Sequence, residues 1–145
     1  MIRFPVETLI EQWESKKRFS NQCTVKVERP ARSGEYASFP LSMSPVLKAW
    51  MRGQGIEQLY SHQAEAWEAA ENEENICLAT PTASGKSLCY HLPVLEGMIR
   101  RPHSRALYIF PTKALAQDQY MSLHAMITDM ELPVATHTFD GDTPQ

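Results

Sequence analysis

The sequence has no long apolar run. Of its 145 residues 43% are hydrophobic, yet no stretch approaches the roughly 18 consecutive apolar residues that a membrane-spanning helix needs. The opening segment "MIRFPVETLI" becomes acidic too soon for a signal peptide. We therefore expect a soluble, cytoplasmic protein with no membrane partner.

Cysteine is also scarce, with three residues at Cys23, Cys77 and Cys89. They are unevenly spaced, include no C-x-x-C pair, and two of them lie in or beside apolar runs. This pattern argues against a disulfide framework and against a zinc site. Reduced, buried thiols are the expectation that remains.

An excess of basic residues is lacking as well. The chain has 14 Lys and Arg against 17 Asp and Glu, a net charge of −3, and a pI of about 5.9. Nucleic-acid-binding domains usually carry a basic face, so the charge balance argues mildly against such a partner. The hydrophobic and charged fractions are otherwise those of a globular domain with a core of its own.

A segment rich in Pro, Gly and Ser separates an N-terminal part of the chain from a larger main part. Residues 5–19 predict a helix with Leu9, Ile10 and Trp13 on one side, and 23–28 predict a short strand. The segment Arg29–Pro40 is typical of a linker. We therefore predict a short, mainly helical N-terminal extension over residues 1–38 and a main domain over residues 39–145.

The main domain alternates between two kinds of apolar pattern. Ser44 as N-cap and Pro45 predict a helix ending near Gly53 or Gly55, and Ser61 is the predicted N-cap of the next. Strands then alternate with long helices, which predicts an α/β fold with a parallel sheet, crossover helices and ligand-binding loops at the carboxyl edge. The predicted strands are 75–79, 105–110 and 133–139, the helices 86–100 and 113–127, and the loops 80–86, 111–113 and 140–143.

The first loop, "TPTASGKS" at residues 80–87, has the parts of a phosphate-binding loop. Backbone N–H groups before a helix can hold phosphate, a lysine such as Lys86 can reach the β- and γ-phosphates, and the Ser87 hydroxyl can bind Mg²⁺. Thr80 stands where the usual pattern has its first glycine, although small residues still permit close approach. The alternative is an accidental G-K-S at a helix start.

Three further positions have a functional and an ordinary interpretation. Gln63 can pair with both N6 and N7 of adenine, or it can be a solvated surface glutamine. Thr112 and Lys113 at a helix N-terminus can hold a phosphate, or form an ordinary cap with a surface lysine. Gly141 and Thr143 can approach a ligand, or belong to a plain D-G turn.

In combination these segments are recognisable. "GIEQLYSHQ", "TPTASGKS", "PTKALAQDQ" and "FDGDT" resemble the Q motif and motifs I, Ia and Ib of the first RecA-like domain of superfamily 2 DEXH-box helicases. The resemblance covers about residues 39–145. It is strongest to a DEXH branch that carries a C-terminal cysteine-rich region and includes DNA-repair helicases moving 3′ to 5′.

The resemblance implies ATP and Mg as cofactors of a P-loop NTPase domain. Gln63 would read adenine, and Phe39, 16 residues before Gly55, is a candidate for the aromatic that the family often carries about 17 residues before the Q motif. Lys86 and Ser87 would be catalytic, with Ser87 also the Mg²⁺ ligand. The cofactor-binding set is Gln63, Phe39, Thr82, Ala83, Ser84, Gly85, Lys86 and Ser87.

The resemblance also implies a nucleic-acid partner, DNA rather than RNA. The expected contacts are Pro111, Thr112, Lys113, Gln117, Gly141 and Thr143. Contacts led by backbone N–H groups soften the objection from the acidic pI, although binding should still weaken with salt.

No D-E-x-H segment occurs in the 145 residues, and no second RecA-like domain with its arginine finger. Such a finger alone is worth about 10³ to 10⁵ in rate. We therefore expect a truncated RecA-like domain, part of an ATP-dependent DNA helicase, which binds nucleotide weakly at most and is inactive by itself. The alternatives are a P-loop phosphotransferase and a non-catalytic nucleic-acid-binding module.

Overall fold

The computed structural model describes residues 6–25, 27, 33–82, 84–141 and 143. Two compact units emerge, Met1–Ser33 and Gly34–Gln145, and the predicted boundary at residue 38 falls slightly later. Within the described residues no helix is both long and apolar enough to cross a membrane. The elements are α1 Val6–Glu14, α2 Lys17–Ser20, β1 Tyr36–Ala37, α3 Pro45–Gly53, β2 Leu59–Tyr60, α4 Ser61–Glu71, α5 Lys86–Arg100 and α6 Lys113–Asp129.

The first unit consists of α1 and α2. The helix predicted over residues 5–19 is interrupted after Glu14, where the Ser15 hydroxyl donates to the Gln12 carbonyl oxygen at 2.9 Å. A serine that bonds to nearby backbone competes with helix continuation. Of the strand predicted over residues 23–28, the described residues 23–25 and 27 contain no strand, so that prediction is wrong for them.

The described residues of the second unit form four helices, α3 to α6. Ser44 caps α3 as predicted, accepting a hydrogen bond from the Leu47 N–H at 3.4 Å. Ser61 is the first residue of α4 and the N-cap is Tyr60, one residue earlier than predicted. Apolar faces of α3 to α6 meet in one core, which consists of Met43, Leu47, Met51, Leu59, Trp67, Leu92, Leu95, Met126 and Ile127.

The predicted parallel sheet is absent from the described residues. Their one sheet is the antiparallel pair β1–β2, in which Tyr36 faces Tyr60. The three predicted strands 75–79, 105–110 and 133–139 contain no assigned strand. Burial alternates along 107–110, where Leu107 and Ile109 are 85% and 83% exposed and their neighbours are half-buried. One face of this extended segment is thus packed against the protein, as the alternating pattern predicts. In the described part of the chain, however, no neighbouring strand forms backbone hydrogen bonds with it.

Glu96 and Arg100, near the C-terminal end of α5, together connect α5 to α4 and to the start of α3. Its buried carboxylate accepts a hydrogen bond from the Ser44 N–H at 3.0 Å and another from Arg100 Nε at 2.8 Å. Arg100 also donates to Glu71 Oε1 at 2.8 Å and to the Ser42 carbonyl oxygen at 2.6 Å. The carboxylate of Glu96 is therefore the main cause of the raised pKa of Arg100.

We expect Glu96→Gln to lower the free energy of unfolding by about 1–3 kcal/mol, because a buried, charge-assisted hydrogen-bond acceptor is lost. Urea unfolding measures the change. Glu65→Gln is the matched control, since Glu65 is exposed on α4 and should change stability by less than about 0.5 kcal/mol. Equal stability of the two variants would contradict the role assigned to Glu96.

Candidate functional site

The phosphate-type loop reaches α5 through a glycine that no other residue replaces without strain. Gly85 has φ +74°, in the left-handed region, and Lys86 is the first residue of the helix. A Cβ at position 85 would lie 2.6 Å from Gln63 Nε2. Both the backbone angle and the space therefore demand glycine here.

The start of α4 holds this loop by its backbone. The buried Gln63 side chain accepts from the Tyr60 N–H at 2.9 Å and donates through Nε2 to the Gly85 carbonyl oxygen at 3.0 Å. The His62 ring nitrogen Nε2 lies 3.0 Å from the carbonyl oxygen of Ser84. Gln63 is thus no solvated surface residue, and its reading of adenine stays a prediction.

Other hydrogen bonds close the loop on itself. Lys86 Nζ donates to the carbonyl oxygens of Thr80 and Pro81, the latter at 3.1 Å. The hydroxyls of Thr80 and Ser84 lie 2.7 Å apart, so the residue that replaces the usual glycine has a bonding partner inside the loop. Ser87 is half-buried and Thr82 is exposed, while Ala83 lies outside the described residues.

Two sets of aromatic side chains bear on the predicted nucleotide site, and the role predicted for Phe39 there stays a prediction. Phe39 packs against the core, with the Arg52 guanidinium 5.6 Å from its ring centroid. Next to the loop lies a different group, in which Tyr60 stacks on Tyr36 at 5.1 Å and on His62 at 5.6 Å. The sequence did not predict this stack. Its two tyrosines are aligned by the pairing of two strands of only two residues each, which is too short to leave a periodic pattern.

The residues predicted to contact nucleic acid meet elsewhere in the same unit. Five of the six line one cavity of about 690 Å³, namely Pro111, Thr112, Lys113, Gln117 and Gly141. The Thr112 hydroxyl caps α6 by accepting from the Leu115 N–H at 3.2 Å. Thr143 accepts from the Asp140 N–H at 2.9 Å, and Lys113 Nζ lies 3.8 Å from Asp140 Oδ1. Two loops distant in sequence are therefore adjacent.

A cluster of polar aromatic side chains joins α5 to the segment before α6 and to α6 itself. Tyr90 donates its hydroxyl to Gln119 Oε1 at 2.5 Å, and His91 Nδ1 lies 3.3 Å from the Tyr108 hydroxyl. Burial lowers the pKa of His91 to about 4, against a smaller opposing effect from Gln119, and burial raises the pKa of Tyr108. His91 is therefore neutral at physiological pH.

Comparisons with known proteins show the family of this chain. Residues 60–145 match the family described as DEAD/DEAH box helicase, and the chain belongs to that family. It is 45% identical over 112 residues to the uncharacterized ATP-dependent helicase YprA of Bacillus subtilis (strain 168), and 35% identical over 140 residues to the ATP-dependent helicase HRQ1 of Saccharomyces cerevisiae (strain S288c). These alignments cover 77% and 95% of the chain.

The chain also resembles a solved helicase. The crystal structure of the DUF1998 helicase MrfA bound to DNA and AMPPNP matches 78% of the chain with a TM-score of 0.75 and 44% identity. The helicase-domain fold expected from the sequence is therefore confirmed at that level. The chain spans 15% of YprA, 13% of HRQ1 and 16% of the MrfA chain.

We expect Gly85→Ala to destabilise the protein by more than the roughly 1–2 kcal/mol that a left-handed residue costs, because the methyl group also meets Gln63. Measured by urea unfolding in a Gln63→Ala background, the cost should fall to the backbone part alone. Gly97→Ala, where nothing lies within 4 Å, is the control. An equal cost in both backgrounds would refute the contact.

We expect His91 to make stability fall in acid. Its pKa is about 4 when folded and about 6.5 unfolded, so the unfolded state binds more protons between these values. Stability is then fully present above pH 6.5 and decreases toward pH 4, by about 2 kcal/mol at pH 5. Unfolding in urea between pH 7 and 5 should show a flatter profile for His91→Leu, and an unchanged profile for the exposed His103→Leu. A profile unaltered by His91→Leu would contradict this.

Proposed function

We propose that the chain is the ATP-binding and nucleic-acid-binding part of an ATP-dependent DNA helicase. The observation that carries the proposal is the Gln63 side chain, which joins α4 to the phosphate loop through the Tyr60 N–H and the Gly85 carbonyl oxygen. Two segments that the family uses for one nucleotide are thereby in contact. The relative MrfA, crystallised with DNA and AMPPNP, supports the same ligands.

The Gln63 amide still has hydrogen-bonding groups that an adenine base could use. A side-chain amide has two N–H donors and two acceptor lone pairs, and the hydrogen bonds described above use one of each. The remaining donor and acceptor would form the bidentate adenine pair once the nearly buried side chain, 4% exposed, becomes accessible to the base. In the proposed complex the Tyr36–Tyr60 stack provides an aromatic surface near the base, and Phe39 supports this region from the core.

Lys86 and the loop hold the phosphates. The lysine ammonium already lies among the loop carbonyls of Thr80 and Pro81, so a triphosphate replaces neutral acceptors by charged ones. Backbone N–H groups at the start of α5 add to this attraction. The helix N-terminus and Lys86 therefore act on the same anion.

Mg²⁺ fits the residues present as a partner of the nucleotide. The described residues contain no group of three His, Cys, Asp or Glu side chains able to hold a metal ion. Mg²⁺ commonly keeps several waters and is bound through substrate phosphates. Ser87, the second residue of α5, supplies the hydroxyl ligand in this arrangement, and the ion would neutralise phosphate charge there.

The second site receives the nucleic-acid backbone. Thr112, Lys113 and Gly141 share the cavity at the N-terminus of α6, where N–H groups and a lysine favour phosphate. Gln117 lies one turn further along the helix. We assign DNA as the partner because it is the nucleic acid in the MrfA complex.

We expect Mg-ATP to raise the melting temperature of the chain, Mg-GTP to raise it much less, and Lys86→Ala to abolish the effect. A ligand that binds only the folded state adds about 2.7 kcal/mol at a hundred times its Kd. Lys48→Ala, which removes a lysine outside the phosphate loop, is the control and should behave as the unaltered chain.

Other results of these measurements would contradict parts of the proposal. Stabilisation by ATP that survives Lys86→Ala would refute the phosphate-loop assignment. Equal effects of ATP and GTP would refute adenine reading by Gln63. DNA binding that ignores both ATP and Lys86→Ala would indicate a non-catalytic binding module instead.

A further inference from the structure

The N-terminal unit carries a stacked pair of exposed aromatic rings. Trp13 of α1 and Phe19 of α2 stack with centroids 5.3 Å apart and planes 9° apart, and they are 48% and 47% exposed. Burying large aromatic rings is favourable, so an exposed pair held in parallel calls for an explanation. Nothing in the proposed nucleotide or DNA sites uses these residues.

Three of the five residues between Trp13 and Phe19 in the sequence are basic, and one is acidic. Lys16, Lys17 and Arg18 are all exposed, and on α2 Lys17 lies about 200° from Phe19. Glu11 lies about 200° around α1 from Trp13 at 3.6 residues per turn, so that acidic residue is on another face of the helix. Glu14 lies about 100° from Trp13 on α1 and, like Lys17, has an interaction partner of its own. The surface formed by Trp13, Lys16, Arg18 and Phe19, here called the Trp13 platform, therefore combines two aromatic rings with two basic side chains.

We propose that the Trp13 platform binds single-stranded nucleic acid, with an unpaired base stacked on the ring pair and backbone phosphates at the basic side chains. Aromatic surfaces combined with positive charge are the recurrent means of holding single strands. A duplex would not serve, because its bases are stacked inside and present no open face to an aromatic ring. Stacking of this kind is tolerant of sequence.

The neighbouring apolar residues allow a sharp distinction from a protein or lipid partner. Val6 is 65% exposed and lies on the same face of α1 as Trp13 at helical spacing. A partner that only covers apolar surface would use Val6 as well, whereas a stacked base requires the rings. The cations favour a nucleic acid over an apolar protein surface.

The test measures binding of a short labelled single-stranded oligothymidylate to the full chain by fluorescence anisotropy. We expect Trp13→Ala to weaken binding about 5- to 150-fold, which is the loss of one base–aromatic stack. Trp13→Tyr should retain most of the affinity, Phe19→Leu should lose part of it, and Val6→Ala should leave it unchanged. An oligouridylate should respond to these variants in the same way, because stacking ignores the sugar.

A second pair of variants keeps both rings in place. Lys16→Gln with Arg18→Gln should reduce the slope of log K against log salt by about 1.4, since each phosphate contact on a single strand contributes about 0.7. Arg101→Gln with Arg105→Gln removes the same charge from the second unit, where both residues are exposed, and should preserve the slope. Equal slopes for the two double variants would overturn the proposal.

The other outcomes are equally decisive. Wild-type affinity in Trp13→Ala, or failure of the chain to bind the oligonucleotide, would overturn the proposal. So would a loss in Val6→Ala matching that in Trp13→Ala, or Trp13-dependent self-association or binding to anionic vesicles without oligonucleotide binding. The proposed DNA site is tested separately by Lys113→Ala, whose effect should be independent of the Trp13 variants.

Discussion

The two hydrogen bonds of the Gln63 amide are the interaction on which the candidate nucleotide site depends. They join the backbone at the start of α4 to the last residue before α5. Leaving a buried amide unpaired costs about 1–3 kcal/mol, so the loop is most stable where Gln63 can reach it. The same contact adds to the requirement for glycine at position 85, because a Cβ there would lie 2.6 Å from the Gln63 amide nitrogen, and φ +74° already favours glycine.

Helix α5 extends this constraint across the second unit. Its first residue carries the ammonium of the loop, its middle contacts Gln119 and Tyr108 through Tyr90 and His91, and its end is fixed through Glu96. Leu92 and Leu95 on its inner face are fully buried in the core. One helix therefore positions the phosphate loop, the approach to α6 and the start of α3. A displacement of the loop along the axis of α5 would strain all of these contacts together, since close-packed interiors transmit strain.

Local patterns in the sequence predicted where the helices begin. Contacts between residues far apart in the sequence could not be predicted in this way. Ser44 with Pro45, Gly85 before Lys86, and Thr112 before Lys113 mark helix starts through capping chemistry that operates within four residues. The prediction of a parallel sheet was wrong because a strand forms only when a neighbouring strand shares its backbone hydrogen bonds. The alternation at Leu107 and Ile109 predicts a half-buried extended segment, and only a second backbone beside it would make it a strand.

The candidate site was predictable to the same extent. The composition of residues 80–87 and the Thr112 cap predict two places for phosphate from local pattern alone. The contact between Gln63 and Gly85 joins residues 22 apart in sequence, and the Tyr36–Tyr60 stack depends on a pairing of two short strands. Neither leaves a periodic trace, so sequence reasoning could choose a function for Gln63 but could not find its partner. Phe39 fitted a spacing, and its half-buried ring packs against the core and beside Arg52, so its contact with a nucleotide stays a prediction.

The acidic charge balance is compatible with a nucleic-acid partner once the geometry is considered. Phosphate binding at the start of α6 would use backbone N–H groups and the single side-chain charge of Lys113, and neither requires a basic face. Lys113 already lies near Asp140, but both side chains are largely exposed, and an exposed ion pair contributes only about 0–1 kcal/mol. In the proposed complex a DNA phosphate at the helix N-terminus, where the macrodipole adds to the lysine charge, would replace that carboxylate. Few charges then take part, so binding at this site should depend less steeply on salt than binding to a broad basic surface.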